Sequence, residues 1–254
     1  MMTILSPAKS LNFKDETQTK KYSHSLFLGY AAQLILELKK YSPGNLREFM
    51  KISESLGGLN FIRYQNWQKE HTLENSRQAI LAFNGEVYNG LKAYTLSSDE
   101  LLFAQDNIRI LSGLYGILRP LDLIQPYRLE MGTRLQFKKY KNLYSFWGEK
   151  ITQTLDTEIQ KHKCPSIINL ASNEYAKAAV LKNFGGNVIT PVFKENKNDS
   201  YKVITVYAKK ARGLMTRFII ENSITDPKKI KGFDSAGYGF SENLSSDKQW
   251  VFTR

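Results

Sequence analysis

The stretch of residues 110–132, ILSGLYGILRPLDLIQPYRLEMG, constrains the fold more than any other part of the sequence. It is largely apolar, yet it contains Pro120 and Pro126. Because proline fixes φ and removes a backbone donor, this stretch can be neither one continuous helix nor one central strand. We therefore expect an ordered, irregular connection, in which Arg119 and Arg128 need either carboxylate partners or an anionic ligand.

The charge balance of the chain favours a polyanionic partner. Its 254 residues include 36 lysines and arginines against 24 aspartates and glutamates, which gives a net charge of +12. Neutralising phosphates releases counterions, so this excess favours nucleic acid above other partners. A basic protein without such a partner has the same composition, and charge alone does not separate the two interpretations.

Cysteine content and hydropathy indicate where the protein works. The single cysteine, Cys164, excludes an internal disulfide and a cysteine-rich metal site. The first ten residues, MMTILSPAKS, lack the apolar region of a signal peptide. The helical apolar run of residues 26–38 is too short to span a bilayer. We expect a cytoplasmic protein with no membrane partner, and the sequence leaves its oligomeric state open.

Helix and strand patterns alternate along the chain and predict one α+β domain over residues 1–254, with a mixed β-sheet core and surrounding helices. Ser97 lies three residues before Glu100, a capping-box pattern that predicts a helix to about Asp106. The compact apolar run of residues 79–83 predicts a buried strand. Further buried strands are predicted at residues 3–6, 108–111 and 167–171.

Residues 45–60, NLREFMKISESLGGLN, have the pattern of two short helices joined by a tight turn. The spacing resembles a helix-hairpin-helix, in which backbone N–H groups of the hairpin bind DNA phosphates. The two usual hairpin glycines are replaced by Lys51 and Ser53, so this element is degenerate. Lys51 would add a charge beside the phosphate. A plain αα-corner without a ligand fits the same segment.

The strongest helical pattern covers residues 209–221. At 100° per residue, its apolar side chains fall on one face. The opposite face is basic and contains Lys209, Lys210, Arg212 and Arg217. With Glu221 as the single nearby acid, this face lacks the i,i+4 acidic partners that helices commonly use. We interpret it as a phosphate-facing surface, and a solvated basic face is the alternative.

No local motif indicates a metal or nucleophile site, so we expect no cofactor and no resident metal. The three histidines form no HxH or HExxH pattern. Lys9, just after the first strand, is placed to meet an anion, and a desolvated lysine there could form a Schiff base. Asp122, Glu130 and Glu174 could support phosphodiester chemistry with a divalent ion. Alternatively, Asp122 and Glu130 could neutralise the nearby arginines by ion pairing.

Several long sequence blocks together closely resemble the YaaA family of bacterial peroxide-stress resistance proteins. In chain order they are ILSPAK, ISESLGGLN, QAILAFNGEVYNGL, LSGLYGILRPLDLIQPYRLEMG, LYSFWG, INLASNEY and YAKKARGLMTRFIIEN. The resemblance implies a DNA-binding protein that limits free iron and the oxidative damage it causes. It also implies a mixed α/β fold with a positively charged cleft, a helix-hairpin-helix at residues 46–59, and no established enzymatic activity.

Two hypotheses about function follow. The first is a protein of the peroxide stress response that contacts the phosphate backbone of double-stranded DNA. Its expected contacts line one basic cleft: Lys9, Lys51, Arg119, Arg128, Lys209, Lys210, Arg212 and Arg217. The second is an enzyme acting on nucleic acid or a small phosphorylated substrate, such as a nuclease or base-excision lyase. A groove wide enough for a duplex favours the first hypothesis, and a narrow enclosed pocket favours the second.

Overall fold

The computed structural model describes residues 1–14, 19–197 and 200–254. The strands are β1 (Met2–Leu5), β2 (Ser10–Leu11), β3 (Arg77–Gln78), β4 (Phe83–Asn84), β5 (Ile108–Ser112), β6 (Gly116–Leu118), β7 (Leu123–Ile124), β8 (Ser166–Asn169), β9 (Asn187–Lys197), β10 (Ser200–Lys202), β11 (Gly239–Ser241) and β12 (Gln249–Thr253). The α-helices are α1 (Leu28–Leu38), α2 (Pro43–Met50), α3 (Glu54–Asn66), α4 (Ala79–Ala82), α5 (Glu86–Leu91), α6 (Ser98–Asn107), α7 (Leu143–Trp147), α8 (Lys150–Ile159), α9 (Asn173–Ala178) and α10 (Thr205–Glu221). Short 3-10 helices lie at Ala93–Thr95, Leu181–Asn183, Pro227–Gly232 and Ser235–Gly237.

A mostly parallel sheet forms the centre of the fold. Its strand order is β11-β12-β9-β8-β1-β5-β6, and β10 pairs with the carboxyl end of β9. The strands from β12 to β5 in this order run parallel, and β6, β10 and β11 pair antiparallel with their neighbours. The expected mixed sheet surrounded by helices is confirmed. In the described residues, no helix is both long enough and apolar enough to cross a membrane.

The composition of the inner strands explains their central position. Every residue of β1, β5 and β8 is buried, as is typical of parallel strands covered on both faces. Arg109 is a cation within β5, and its Nε donates to a Glu158 carboxylate oxygen of α8 at 2.6 Å. This ion pair neutralises the charge that the strand would otherwise carry into the interior.

Two short segments show where local sequence patterns succeed and fail. Helix α6 begins with the predicted capping box, because Ser97 Oγ accepts from the Glu100 N–H and the Glu100 carboxylate accepts from the Ser97 N–H. The strand predicted at residues 79–83 is wrong, since Ala79–Ala82 is helix α4, between the two-residue strands β3 and β4. Periodicity does not distinguish a buried strand from a buried helix over so short an apolar run.

The proline-containing stretch of residues 110–132 is an ordered connection made of short pieces, as its sequence predicts. It leaves β5, forms the brief strands β6 and β7, and is largely buried. A hydrogen-bond cluster beneath it centres on the Tyr115 hydroxyl, which lies 3.0 Å from His71 Nε2 and accepts from Trp67 Nε1 at 3.1 Å. The backbone N–H of Gln125 donates to the same hydroxyl at 3.2 Å. This cluster fixes the stretch against the end of α3.

Helices α2 and α3 form the predicted pair around a three-residue turn. Lys51 adopts a left-handed φ of 54°, which reverses the chain direction without a hairpin glycine. Gly57 allows the helices to approach, since a Cβ at this position would lie 2.7 Å from the Pro43 carbonyl oxygen. The helix pair is therefore present, whereas phosphate binding by its turn stays a prediction.

A very close helix crossing joins α5 to α10. Gly213 of α10 lies so near α5 that a Cβ there would be 1.8 Å from the Val87 carbonyl oxygen. Gly90 of α5 makes the reciprocal contact, because its Cβ would be 2.3 Å from the Lys210 carbonyl oxygen. Both distances are far below van der Waals contact, so the crossing requires glycine at both positions. It fixes the middle of α10 against α5.

We expect Gly213→Ala to destabilise the protein by about 1–3 kcal/mol or more, because the added methyl group forces the two helices apart. Gly58→Ala is the matched control, since Gly58 lies within α3 and a Cβ there would meet no atom within 4 Å. The control substitution should be neutral or stabilise by up to about 1 kcal/mol through helix propensity. Urea denaturation measures both changes, and equal effects would contradict the crossing.

Burial lowers the pKa of His71 to about 4 from its usual 6.5. Between these values the unfolded chain binds a proton that the folded chain excludes, so the free energy of unfolding falls as the pH drops through this window. We expect His71→Gln to remove this component, which has a slope of up to about 1.4 kcal/mol per pH unit. Urea denaturation at a series of pH values measures the slope. His24→Gln is the control, because His24 is exposed. If the free energy of unfolding depends on pH in the same way in the parent and in His71→Gln, the pH dependence does not come from His71.

Candidate functional site

The loops that follow β1 and β8 meet at the carboxyl edge of the sheet. Ser6 directly follows β1, and Ser172 lies in the loop after β8. The Ser172 N–H donates to Ser6 Oγ at 2.8 Å, and the two hydroxyl oxygens are 3.2 Å apart. Strands β1 and β8 are neighbours in the centre of the sheet. Within this sheet the chain continues from β1 to β5, the neighbour of β1 on one side, whereas from β8 it continues to β9, the neighbour of β8 on the opposite side. In α/β sheets, ligands commonly bind in the crevice at such a change of direction.

A pocket of about 430 Å³ occupies this crevice. The loop after β1, the start of α5, α10, residues 127–130 and the region around the start of α9 all contribute to its lining. This volume is within the range of small-molecule sites, roughly 300–1,000 Å³. The crossing of α5 and α10 therefore positions part of the pocket wall.

The pocket brings together four of the eight cations that the sequence nominates for DNA binding: Lys9, Arg128, Lys209 and Arg212. They come from three distant parts of the chain, so folding alone makes them neighbours. The other four do not line the pocket: Lys51, Arg119, Lys210 and Arg217. The eight cations are therefore not gathered around a single pocket.

Glu130 links two of the pocket cations. One of its carboxylate oxygens lies 3.0 Å from Lys9 Nζ, and the other lies 2.9 Å from Arg128 Nη2. The Arg128 Nε atom is buried and has no hydrogen-bond partner in the part of the chain that the structure describes. The Lys9 side chain is 65% exposed, so it lacks the desolvation that activates a Schiff-base lysine.

Lys209 and Arg212 are the pocket cations without a carboxylate partner. Neither side chain makes a salt bridge or hydrogen bond within residues 1–14, 19–197 and 200–254. Arg212 is half-buried, and burial lowers its pKa because the charged guanidinium loses hydration. The group nevertheless stays charged at physiological pH. An unpaired and partly desolvated cation is costly in the free protein and is characteristic of a site that receives an anion.

Arg119 and Arg217 are held by contacts within the fold. Arg119 Nη2 lies 2.9 Å from Asp122 Oδ1, and the Asp122 side chain is 1% exposed. Ion pairing of these two residues, one of the alternatives left open by the sequence, is therefore observed. Arg217 Nε donates to the Glu221 carboxylate at 2.8 Å, and its Nη1 donates to the Leu91 carbonyl oxygen at 3.1 Å. The expectation that this face lacks i,i+4 acidic partners is therefore wrong for Arg217, whose partner Glu221 lies four residues later. The basic face of α10 is thus divided between pocket-lining and structural cations, and phosphate contact by Arg217 stays a prediction.

Carboxylates offset most of the positive charge in the pocket. Glu86, Glu130 and Glu174 line it together with the four cations, which leaves one net positive formal charge. Glu174 also positions the pocket wall, because its Oε1 accepts from the Gly132 N–H at 2.7 Å. The described residues contain no group of three or more histidine, cysteine or acidic side chains that could hold a metal ion.

Three tyrosines complete the pocket, and sequence patterns do not group them with the site. Tyr88, Tyr127 and Tyr175 line the cavity and are largely buried. Burial raises the pKa of each hydroxyl, so all three remain protonated at neutral pH. Glu174 and Tyr175 lie close after the carboxyl end of β8, a location from which ligand contacts in parallel sheets can be anticipated.

Sequence comparison identifies relatives over the whole length of the chain. A family model described as peroxide stress protein YaaA matches residues 1–244. Proteins named UPF0246 from Dechloromonas aromatica (strain RCB) and Ralstonia pickettii (strain 12J) are 49% and 50% identical to this chain. Each match spans 254 residues and covers 100% of this chain and 99% of the relative.

The same substitution should distinguish Arg119, which is paired with a buried carboxylate, from Arg212, which has no carboxylate partner among the described residues. We expect Arg119→Gln to destabilise the protein by about 1–3 kcal/mol, because it leaves the buried Asp122 without its charged partner. Arg212→Gln should change stability by less than about 0.5 kcal/mol or increase it, since it removes an unpaired, partly desolvated charge. Thermal and urea denaturation test both variants. A large loss of stability in Arg212→Gln would show that this arginine has a structural partner.

Proposed function

Because the chain belongs to the family of the peroxide stress protein YaaA, which supports a role in the response to hydrogen peroxide, we propose that it acts there by binding double-stranded DNA. The observation that carries the proposal is the pair of cations without carboxylate partners on α10, Lys209 and Arg212, with the exposed Lys210 beside them. In this proposal the protein contacts mainly the phosphates and limits iron-dependent damage to the DNA that it covers.

Physical chemistry supports a contact that depends little on DNA sequence. Lysine and arginine contacts to phosphate position a protein on the duplex but carry no sequence information directly. The net charge of +12 adds long-range attraction, which favours encounter with DNA at low salt. Lys51, exposed at the α2–α3 turn, is a further proposed phosphate contact. Lys9 and Arg128 are also proposed contacts, although Glu130 already neutralises part of their charge. Arg119 and Arg217 contribute less, because their guanidinium groups are already hydrogen-bonded.

Charge reversal on α10 tests this proposal. We expect the double variant Lys209→Glu/Lys210→Glu to weaken binding to all duplex sequences by a similar factor. The slope of log affinity against log salt should become shallower by about one unit per lysine. Fluorescence anisotropy with duplexes of different sequence, at several salt concentrations, measures both quantities.

Lys161→Glu/Lys163→Glu is the matched control for that experiment. Both lysines are exposed and precede β8, so they lie towards the amino end of the strand, away from the carboxyl edge that holds the pocket. The control changes the net charge by the same amount as the α10 variant. If the two double variants lose the same affinity, the effect comes from overall charge and the α10 contact is wrong.

The volume of the pocket, which suits a small molecule rather than a duplex, favours a second candidate, an enzyme acting on nucleic acid or a small phosphorylated substrate. Glu130 and Glu174 line the cavity beside cations, where a carboxylate could serve as an acid–base group. Lesion-containing duplexes and small phosphate esters, incubated with and without magnesium, test for turnover. Turnover that is lost in Glu130→Gln and kept in Lys161→Glu/Lys163→Glu would establish the enzyme, whereas binding without turnover would leave DNA binding as the function.

A further inference from the structure

We propose that the pocket at the carboxyl ends of β1 and β8 binds a single phosphorylated nucleoside unit. Lys209 and Arg212 would receive its phosphate, and the carboxylates and tyrosines would receive the nucleoside. This inference rests on the proposed function, because it assigns a ligand to the same site. A cavity of about 430 Å³ accepts one such unit and excludes a paired duplex. The unit is therefore either a free mononucleotide or an unpaired nucleotide of a DNA strand.

The phosphate position follows from the unpaired donors. Arg212 presents a planar set of N–H donors that matches phosphate geometry, and no described carboxylate pairs with it. Lys209 adds a second cation from the same helix, three residues earlier. Arg128 contributes an independent observation, since its Nε is buried without a hydrogen-bond partner among the described residues. Arg212 and the Arg128 Nε atom are already partly desolvated in the folded protein, and the exposed Lys209 lies beside them, so an anion gains strong contacts there.

The carboxylates limit how much negative charge the pocket accepts. Four cations and three glutamates line it, so its net formal charge is +1. That charge suits one phosphodiester or one phosphate monoester, whereas a triphosphate would place further negative charge beside Glu86, Glu130 and Glu174. A carboxylate in contrast accepts hydrogen bonds from N–H donors, such as the amino groups on base edges. The pocket thus carries groups for both the phosphate and the base of one nucleotide.

The tyrosine rings supply the apolar surface that a base requires. The Tyr88 hydroxyl donates to the Ser6 carbonyl oxygen at 3.0 Å, and the Tyr127 hydroxyl lies 2.7 Å from Ser112 Oγ. Since these hydroxyls already have partners inside the protein and the two side chains are only 6% and 4% exposed, a ligand would meet the part of each ring that lines the cavity. Aromatic rings contact every base, so this lining favours a nucleotide without selecting its sequence.

Calorimetric titration with the four deoxynucleoside monophosphates, their triphosphates and inorganic phosphate tests the free ligand. Anisotropy with two duplexes of equal length, one fully paired and one with a single unpaired nucleotide, tests the strand-borne ligand. If the ligand is a free nucleotide, we expect a monophosphate to bind more tightly than inorganic phosphate and at least as tightly as its triphosphate. If the ligand is part of a strand, we expect the duplex with the unpaired nucleotide to bind more tightly than the paired duplex. The arm that responds identifies the source of the nucleotide.

Arg212→Gln should weaken the responding arm by about ten- to a hundredfold, the expected loss of a charge-assisted hydrogen bond. Lys161→Glu/Lys163→Glu should keep the preference for the nucleotide over phosphate, or for the unpaired over the paired duplex. The melting temperature of each variant confirms that it is folded. Glu174→Gln provides a second test, since it should alter the preference among bases more than the affinity for inorganic phosphate.

Two results would overturn the inference. One is no response in either arm, that is, equal affinity for phosphate and nucleotide together with equal affinity for the paired and unpaired duplexes. The other is a response that Arg212→Gln leaves unchanged. Failure of the proposed function gives a different result. In that case the parent binds neither duplex, whatever the outcome of the mononucleotide titration. If paired and unpaired duplexes bind equally and no mononucleotide binds, DNA binding survives and the pocket assignment fails.

Discussion

The contact of Gly213 with the backbone of α5 is the constraint on which the candidate site depends. A Cβ at Gly213 would lie 1.8 Å from the Val87 carbonyl oxygen, so no other residue permits this crossing without moving a helix. The helix that it fixes carries Lys209 and Arg212, and the partner helix begins beside the loop after β1. The wall formed by α5 and α10 is therefore assembled by backbone proximity, and two of the four pocket cations, Lys209 and Arg212, are positioned by a helix rather than by a loop.

Compensation of charge divides the basic residues into two kinds. Arg109 and Arg119 are each paired with a carboxylate within the fold, and this carboxylate neutralises their charge. Arg212 has no such partner among the described residues, although burial makes its charge costly. A protein keeps an uncompensated cation of this kind at the expense of stability, and a ligand that brings the missing negative charge offsets the loss. The net charge alone therefore overestimates the number of cations that are available to bind a polyanion.

Much of the fold is predictable because several local signals are strong. The prolines at 120 and 126 exclude a continuous element, and the structure shows short strands separated by turns there. The capping box at Ser97 and Glu100 starts α6 as predicted. The run of residues 79–83 is mispredicted because four or five apolar residues contain too little periodicity to separate helix from strand. The helix pair around Lys51 is found from spacing alone, but its ligand is not.

The sequence by itself determined the mixed α/β class, the division of the 110–132 stretch and the similarity of the whole chain to one family. Those features depend on local backbone preferences and on sequence blocks that can be read in order. Tertiary structure alone decided which cations share a pocket, because Lys9, Arg128 and Arg212 are more than eighty residues apart in the chain. It also decided which arginines are already paired, since a salt bridge depends on the distance between side chains. Periodicity reports which side of its own helix a cation occupies, but the neighbouring elements determine what that side faces.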